Sequence, residues 1–247
     1  MAEQIAIASG KGGVGKTWLA ITLGHALARL GRRVLLVDGD LGLANIDVQL
    51  GIEPGIDLGT VLTGRAGLEQ AVHRHGPTGL DIICGRSGSG RLAGQPDSQV
   101  EALLEALGRL AAAYEHVLID LPAGLDPIVR LALRAADRRL VVATDEPTAL
   151  TDAYALIKVT TRDQARGRLM IGINLARDRR AGADTCNGLS QVCERFLHLR
   201  PELLGVVRRD PRVPEAIRHQ TPFLLRHPIS PAAEDVEAVA RVLAAPG

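Results

Sequence analysis

The chain has 247 residues, 46% of them hydrophobic, which is enough to bury one large α/β core or two small ones. A net charge of +1 excludes a general pull toward nucleic acid or anionic lipid, and an aromatic content of 2% leaves little with which to stack unpaired bases. No signal peptide precedes the first strand, no apolar run approaches the ~20 residues of a membrane span, and Cys84, Cys186 and Cys193 include no C-x-x-C pair, so a soluble cytoplasmic protein is expected.

The apolar run Ile5-Ala6-Ile7-Ala8 leads straight into Gly10 to Thr17, which reads GKGGVGKT, and Leu19, Leu23 and Leu27 then recur at helical spacing. This is the Gly-x4-Gly-Lys-Thr phosphate loop between a buried strand and an amphipathic helix, and it predicts a nucleoside triphosphate site. Gly10, Gly12, Gly13 and Gly15 let the backbone around Val14 turn tightly and aim its N–H groups at phosphate, beside the positive end of the helix. Lys16 is expected to reach the β- and γ-phosphates and the Thr17 hydroxyl to hold Mg²⁺. Trp18 borders the nucleotide-contacting stretch as a packing residue and should report binding by fluorescence.

Lys11 is a second lysine that a single phosphate cradle does not need. Only three lysines stand among 29 basic residues (Lys11, Lys16 and Lys158), and two of them lie in this loop, where a compact ammonium suits phosphate better than a planar guanidinium. GKGGVGKT resembles the deviant phosphate loop of the MinD/ParA ATPases. The resemblance implies that Lys11 crosses a nucleotide-sandwich homodimer to the partner's ATP.

Val34 to Val37 reads as the next strand and delivers Asp38-Gly39-Asp40 at its carboxyl end, where open parallel sheets place ligands. Two carboxylates facing a phosphate loop are costly without a cation, which points to Mg²⁺ and an attacking water. The family resemblance implies that Asp40 orients that water and that Asp38 supports the metal shell. Leu43 to Gly51 and short helical pieces at Leu58–Leu62 and Leu68–Val72 follow; in the family this region responds to nucleotide state. Leu80 to Cys84 reads as a buried strand, and Gly85 to Gly94 as a flexible loop or linker by composition.

A helix is expected over Val100 to Ala113, then an apolar strand Val117 to Pro122 whose Asp120 reaches Mg²⁺ in the manner of a Walker B residue. Ala123-Gly124-Leu125 resembles the family's phosphate-sensing switch, although Leu121 departs from the Asp-Thr or Asp-Ser-Pro common there. After a strand at Leu140–Ala143, Asp145 to Thr148 is expected to cap a helix. The run EPTALTDAYALIK (Glu146 to Lys158) is similar to the flagellar-placement (FlhG/FleN) branch, which implies a role in flagellar number or position and a partner in that machinery. Lys158 itself suits either a solvated face or a partner contact.

Met170 to Leu175 is a further strand; the resemblance implies that Asn174 reads the adenine edge, with Arg177 nearby, and that Asp210 to Pro214 forms a base-side loop. A helix from Pro231 to Ala244 is expected, with Ser230 as its N-cap. Its Glu234, Asp235 and Glu237 against the single Arg241 argue against insertion into anionic membrane, unlike many members of the family. The flagellar branch also commonly carries an N-terminal extension, whereas here the first strand begins at once.

These elements predict one doubly wound α/β domain over residues 1–247 with a mainly parallel sheet flanked by helices, and an Mg-dependent ATPase that dimerises with ATP. Arg177, Arg179, Arg180, Arg208, Arg209 and Arg212 raise the alternative of a ParA-type positioner on DNA, against a plain solvated surface. A metabolic P-loop ligase and a nucleotide-bound module with negligible turnover stay open beside it. An iron-protein relative would need cluster-ligating cysteines that the chain lacks.

Overall fold

A computed structural model describes residues 2–40, 44–85, 97–165 and 167–245. Leu43 and most of the Gly85–Gly94 stretch lie outside these residues. Eight strands form one sheet: β1 (Glu3–Ser9), β2 (Val34–Asp38), β3 (Val72–His75), β4 (Leu80–Ile83), β5 (His116–Ala123), β6 (Arg138–Ala143), β7 (Arg168–Ala176) and β8 (Glu202–Arg208). Their order is β3-β4-β2-β5-β1-β6-β7-β8, parallel throughout except for β3, which runs antiparallel to β4. The expected doubly wound, mainly parallel sheet is therefore present, with β1 in its interior and the windings leaving it toward both edges.

The strand residues alternate between two apolar layers, as the period of two requires. Ile5, Ile7 and Leu36 face the layer that buries α1 (Lys16–Arg29), α8 (Arg212–Arg218), α9 (Phe223–Arg226) and α10 (Pro231–Ala244). Ala6, Ala8 and Leu35 face the opposite layer with α4 (Asp97–Ala111), α5 (Pro127–Ala135), α6 (Pro147–Arg162) and α7 (Arg179–Leu197). Burying both faces explains why the central strands read as continuous apolar runs. The short α2 (Ile46–Leu50), α3 (Leu58–Leu62) and a 3₁₀ turn at Leu68–Ala71 complete the described elements. Cys186 and Cys193 are both buried on α7, and all three cysteines are free and buried.

Several expectations change. β3 does not announce itself in the sequence, because Val72-His73-Arg74-His75 is too polar to read as a strand; it survives as the outer strand of a hairpin, where only one side must be paired. The Asp210–Pro214 segment is a turn that enters α8 at Arg212 rather than a loop throughout. Ser230 does cap α10, its Oγ accepting from the Ala233 amide at 3.1 Å. The acidic face of α10 is not presented to solvent as such. Asp235 is buried and accepts from Arg208 and Arg179, while Glu237 pairs with Arg29 at 2.7 Å.

One titratable group inside α1 ties stability to pH. His25 is 3% exposed, and burial first, then the charges of Arg29 and His75, pull its pKa from 6.5 down to about 4. The unfolded chain therefore takes up a proton between pH 6.5 and 4 that the folded protein refuses, and stability falls as pH drops through that window. His25→Gln should flatten this acid limb, worth at most about 3 kcal/mol, in urea titrations at pH 7, 5.5 and 4.5.

Candidate nucleotide site

Parallel strands place their carboxyl ends on one side, and the chain's distinctive polar residues gather there. β1 ends at Ser9, whose carbonyl accepts from the Gly124 amide at 2.9 Å and whose hydroxyl donates to the Lys11 carbonyl at 3.0 Å. The turn back into α1 uses Gly15, the N-cap residue, at φ 78° and ψ 24°. A side chain there would be strained by that backbone and would meet the Asn174 amide nitrogen at 2.5 Å. No side chain among the described residues caps α1, so its first amides remain to receive an anion, and Gly12 and Gly13 face open space.

Below this cradle the parallel register of β2 on β5 sets Asp38 directly beside Asp120. Each is 1% exposed. Lys16 Nζ donates to Asp120 Oδ1 at 2.7 Å, and Thr17 stands near enough to the same carboxylate to help draw its pKa down. Burial, opposed by Lys16, still holds Asp120 above the usual carboxylate range. Asp38 goes further: burial and then the Asp120 charge push it up to about 7, despite hydrogen bonds from the amides of Ile46, Asn45 and Asp40 at 3.1, 3.0 and 3.2 Å. Two adjacent buried carboxylates with a single ammonium, bonded to Asp120, are short of positive charge, and this chemistry fits a divalent cation held by Asp38, Asp120 and Thr17. Asp40 stands half-buried at the mouth, close enough for its charge to raise Asp120.

Asn174, 1% exposed on β7, lies under the loop. Its Nδ2 donates to the Val14 carbonyl at 2.8 Å, while its Oδ1 is buried without a hydrogen-bond partner among the described residues. This support of the loop is not legible in the sequence. Trp18, the expected packing residue beside the loop, and Arg177, the expected neighbour of the adenine-reading amide, stand apart from the cluster. Trp18 is 6% exposed and packs edge-on against Phe223 at 5.2 Å, inside the α1 layer. The Arg177 side chain is 83% exposed and pairs with its neighbour Asp178. Arg179, Arg208 and Arg212 are also taken by carboxylates, which removes much of the basic stripe that their sequence positions suggest.

The sequence also gives no sign of what holds Lys11. Its Nζ donates to Glu146 Oε2 at 2.7 Å and to Thr148 Oγ1 at 3.0 Å, both at the start of α6. Glu146 occupies the N-cap position, yet its side chain makes no capping hydrogen bond, so the expected cap is absent and the carboxylate serves the lysine instead.

The Lys16–Asp120 pair generates a stability prediction. Lys16→Ala leaves two adjacent buried carboxylates without a cation and should cost the nucleotide-free protein about 3 kcal/mol or more in urea unfolding. Asp120→Asn added to Lys16→Ala should recover most of that loss.

Known proteins agree with this geometry. The chain is 38% identical over 97% of its length to the antiactivator FleN of Pseudomonas aeruginosa, covering 85% of that protein. It is 31% identical over 87% of its length to the flagellum site-determining protein YlxH of Helicobacter pylori, covering 73% of it. The structure of the septum site-determining protein MinD of Pyrococcus horikoshii, complexed with Mg-ADP, superposes with a TM-score of 0.82 at 28% identity, over 99% of this chain and 96% of that one. Residues 5–223 match the family model for the CobQ/CobB/MinD/ParA nucleotide binding domain. Sequence similarity and overall fold thus agree, and the chain belongs to the CobQ/CobB/MinD/ParA family of nucleotide-binding proteins.

Proposed function

We propose that this chain, as one domain over residues 1–247, is an Mg-dependent ATPase that dimerises around ATP and uses hydrolysis to switch a protein partner. The observation that carries this reading is the buried Lys16–Asp120–Asp38 cluster at the mouth of the glycine loop. The loop amides and Lys16 hold the phosphates, Lys16 exchanging Asp120 for the β- and γ-oxygens. Thr17, Asp38 and Asp120 would hold Mg²⁺, which would supply neutralisation of phosphate charge. Asp40 accepts a hydrogen bond from water and aims it at the γ-phosphorus. The water oxygen bonds to that phosphorus as the bridge to the β-phosphate breaks, and the proton the water gives up passes to an oxygen of the released phosphate, leaving ADP. Lys11 of a second copy completes the charge stabilisation. Asn174 reads the adenine edge through its unpartnered Oδ1, with Arg177 at the periphery.

The cellular role we infer is control of flagellar number or placement, acting in the cytoplasm through a partner of that machinery. Similarity to FleN and to the flagellum site-determining YlxH supports it. Three free cysteines suit a reducing compartment, and among the described residues no helix is long and apolar enough to cross a membrane. The pairing of Arg177, Arg179, Arg208 and Arg212 with carboxylates weighs against a DNA-riding role.

Light scattering tests the dimer. Asp40→Ala should retain ATP and run as a dimer with Mg-ATP but as a monomer with Mg-ADP, and adding Lys11→Ala should abolish the dimer. A monomer in both nucleotides would sink the sandwich reading. Unchanged flagellation after deletion of the gene in its source organism would sink the cellular one.

A further inference from the structure

The lysine that is to serve another subunit is already engaged within its own. Lys11 Nζ touches Glu146 Oε2 and Thr148 Oγ1, 135 and 137 residues away in sequence. The preceding Gly10 is pressed onto the backbone of the same helix, where a Cβ would meet the Asp152 carbonyl carbon and oxygen at 2.3 Å. Next to this contact, Ala6 and Ala8 of β1 share an apolar layer with Ala153 of α6, all three fully buried. The start of the loop is therefore seated on α6, with Lys11 folded toward its first turn.

We propose that Glu146 and Thr148 are positioning residues for Lys11, holding its ammonium in cis in the nucleotide-free subunit and releasing it to the partner when the ATP dimer forms. This rests on Lys11 acting across subunits, as in the proposed function. Three features suit a contact that must open. The Lys11 and Glu146 side chains are 38% and 60% exposed, so the ion pair is solvent-screened and weak. An ammonium at a helix N-terminus opposes the helix dipole, so Glu146 is needed to keep it there. Glu146 makes no capping bond of its own, so releasing Lys11 breaks no cap of the helix. Lys11 also holds the Glu146 carboxyl below its ordinary range, with Arg209 a smaller contributor. The first residues of the run from Glu146 to Lys158 thereby become a parking place for the lysine.

Amine acetylation of the nucleotide-free full-length chain, read by mass spectrometry, tests the contact directly because only Lys11, Lys16 and Lys158 carry side-chain amines. In Glu146→Gln, Lys11 should label about two- to fivefold faster, the factor expected of an exposed ion pair, with Lys158 unchanged and the slow rate largely regained in Glu146→Asp. Thr148→Val should act in the same direction. An unchanged Lys11 rate would overturn the proposal. In the Asp40→Ala background with Mg-ATP, two contacts open per dimer, so Glu146→Gln should lower the dimer dissociation constant by about four- to 25-fold. A dimer of unchanged or weaker affinity would overturn the release step alone. A monomer with either residue at 146 would overturn it together with the dimer reading.

Discussion

The buried pairing of Lys16 with Asp120, beside Asp38, is the constraint on which the rest of the site depends. Like charges are not usually placed side by side in a protein interior, and the parallel register of β2 on β5 leaves these two no room to part. The repulsion is offset in several ways at once. Lys16 comes from the first turn of α1, Thr17 from the next position, and backbone amides from the segment after β2 donate to Asp38. The phosphate loop, the second strand and the fifth strand are thus bound into one electrostatic unit, deficient in positive charge of the kind that a divalent metal brings. Binding of metal and nucleotide completes a set of interactions that the fold has assembled in advance.

Around that unit the loop is held from two directions. Asn174 supports it from β7 through the Val14 carbonyl, and α6 receives its first residues at Gly10 and Lys11. Its tip, at Gly12 and Gly13, is open. A loop fastened at its base and its start but open at its tip can admit phosphate without rebuilding the sheet beneath it. The two layers on either side of the sheet are filled mainly by Leu, Ile, Val and Ala, so the packing beneath the loop is almost wholly aliphatic.

Much of this is legible in the sequence because it is local. The strand before the loop, the glycine spacing, the lysine and threonine after it, and apolar strands ending in Asp38 and Asp120 are patterns a few residues long, and the fold keeps each of them where the pattern puts it. The cap of α10 at Ser230 is legible for the same reason. What escapes depends on residues far apart in the chain. Nothing near Glu146 announces that its partner is Lys11, and nothing near Asp235 announces that Arg179 and Arg208 will bury it. Charge written along one helix reads as a surface property until the fold supplies the opposite charges. β3 escapes for another reason: an outer strand paired on one side can be polar, so the period that marks interior strands is missing from Val72 to His75.

The hydrogen bonds that Asp38 accepts from Asn45 and Ile46 hold the beginning of α2, and the side-chain amide of Gln220 donates to the Val48 carbonyl in the middle of that helix, 3.0 Å away. Gln220 follows α8 and leads to α9, on which Trp18 packs. A five-residue helix thus joins the buried Asp38 carboxylate to the region beyond β8. The segment that follows the last strand is in this way linked, through one short helix, to the hydrogen bonds of a single carboxyl group.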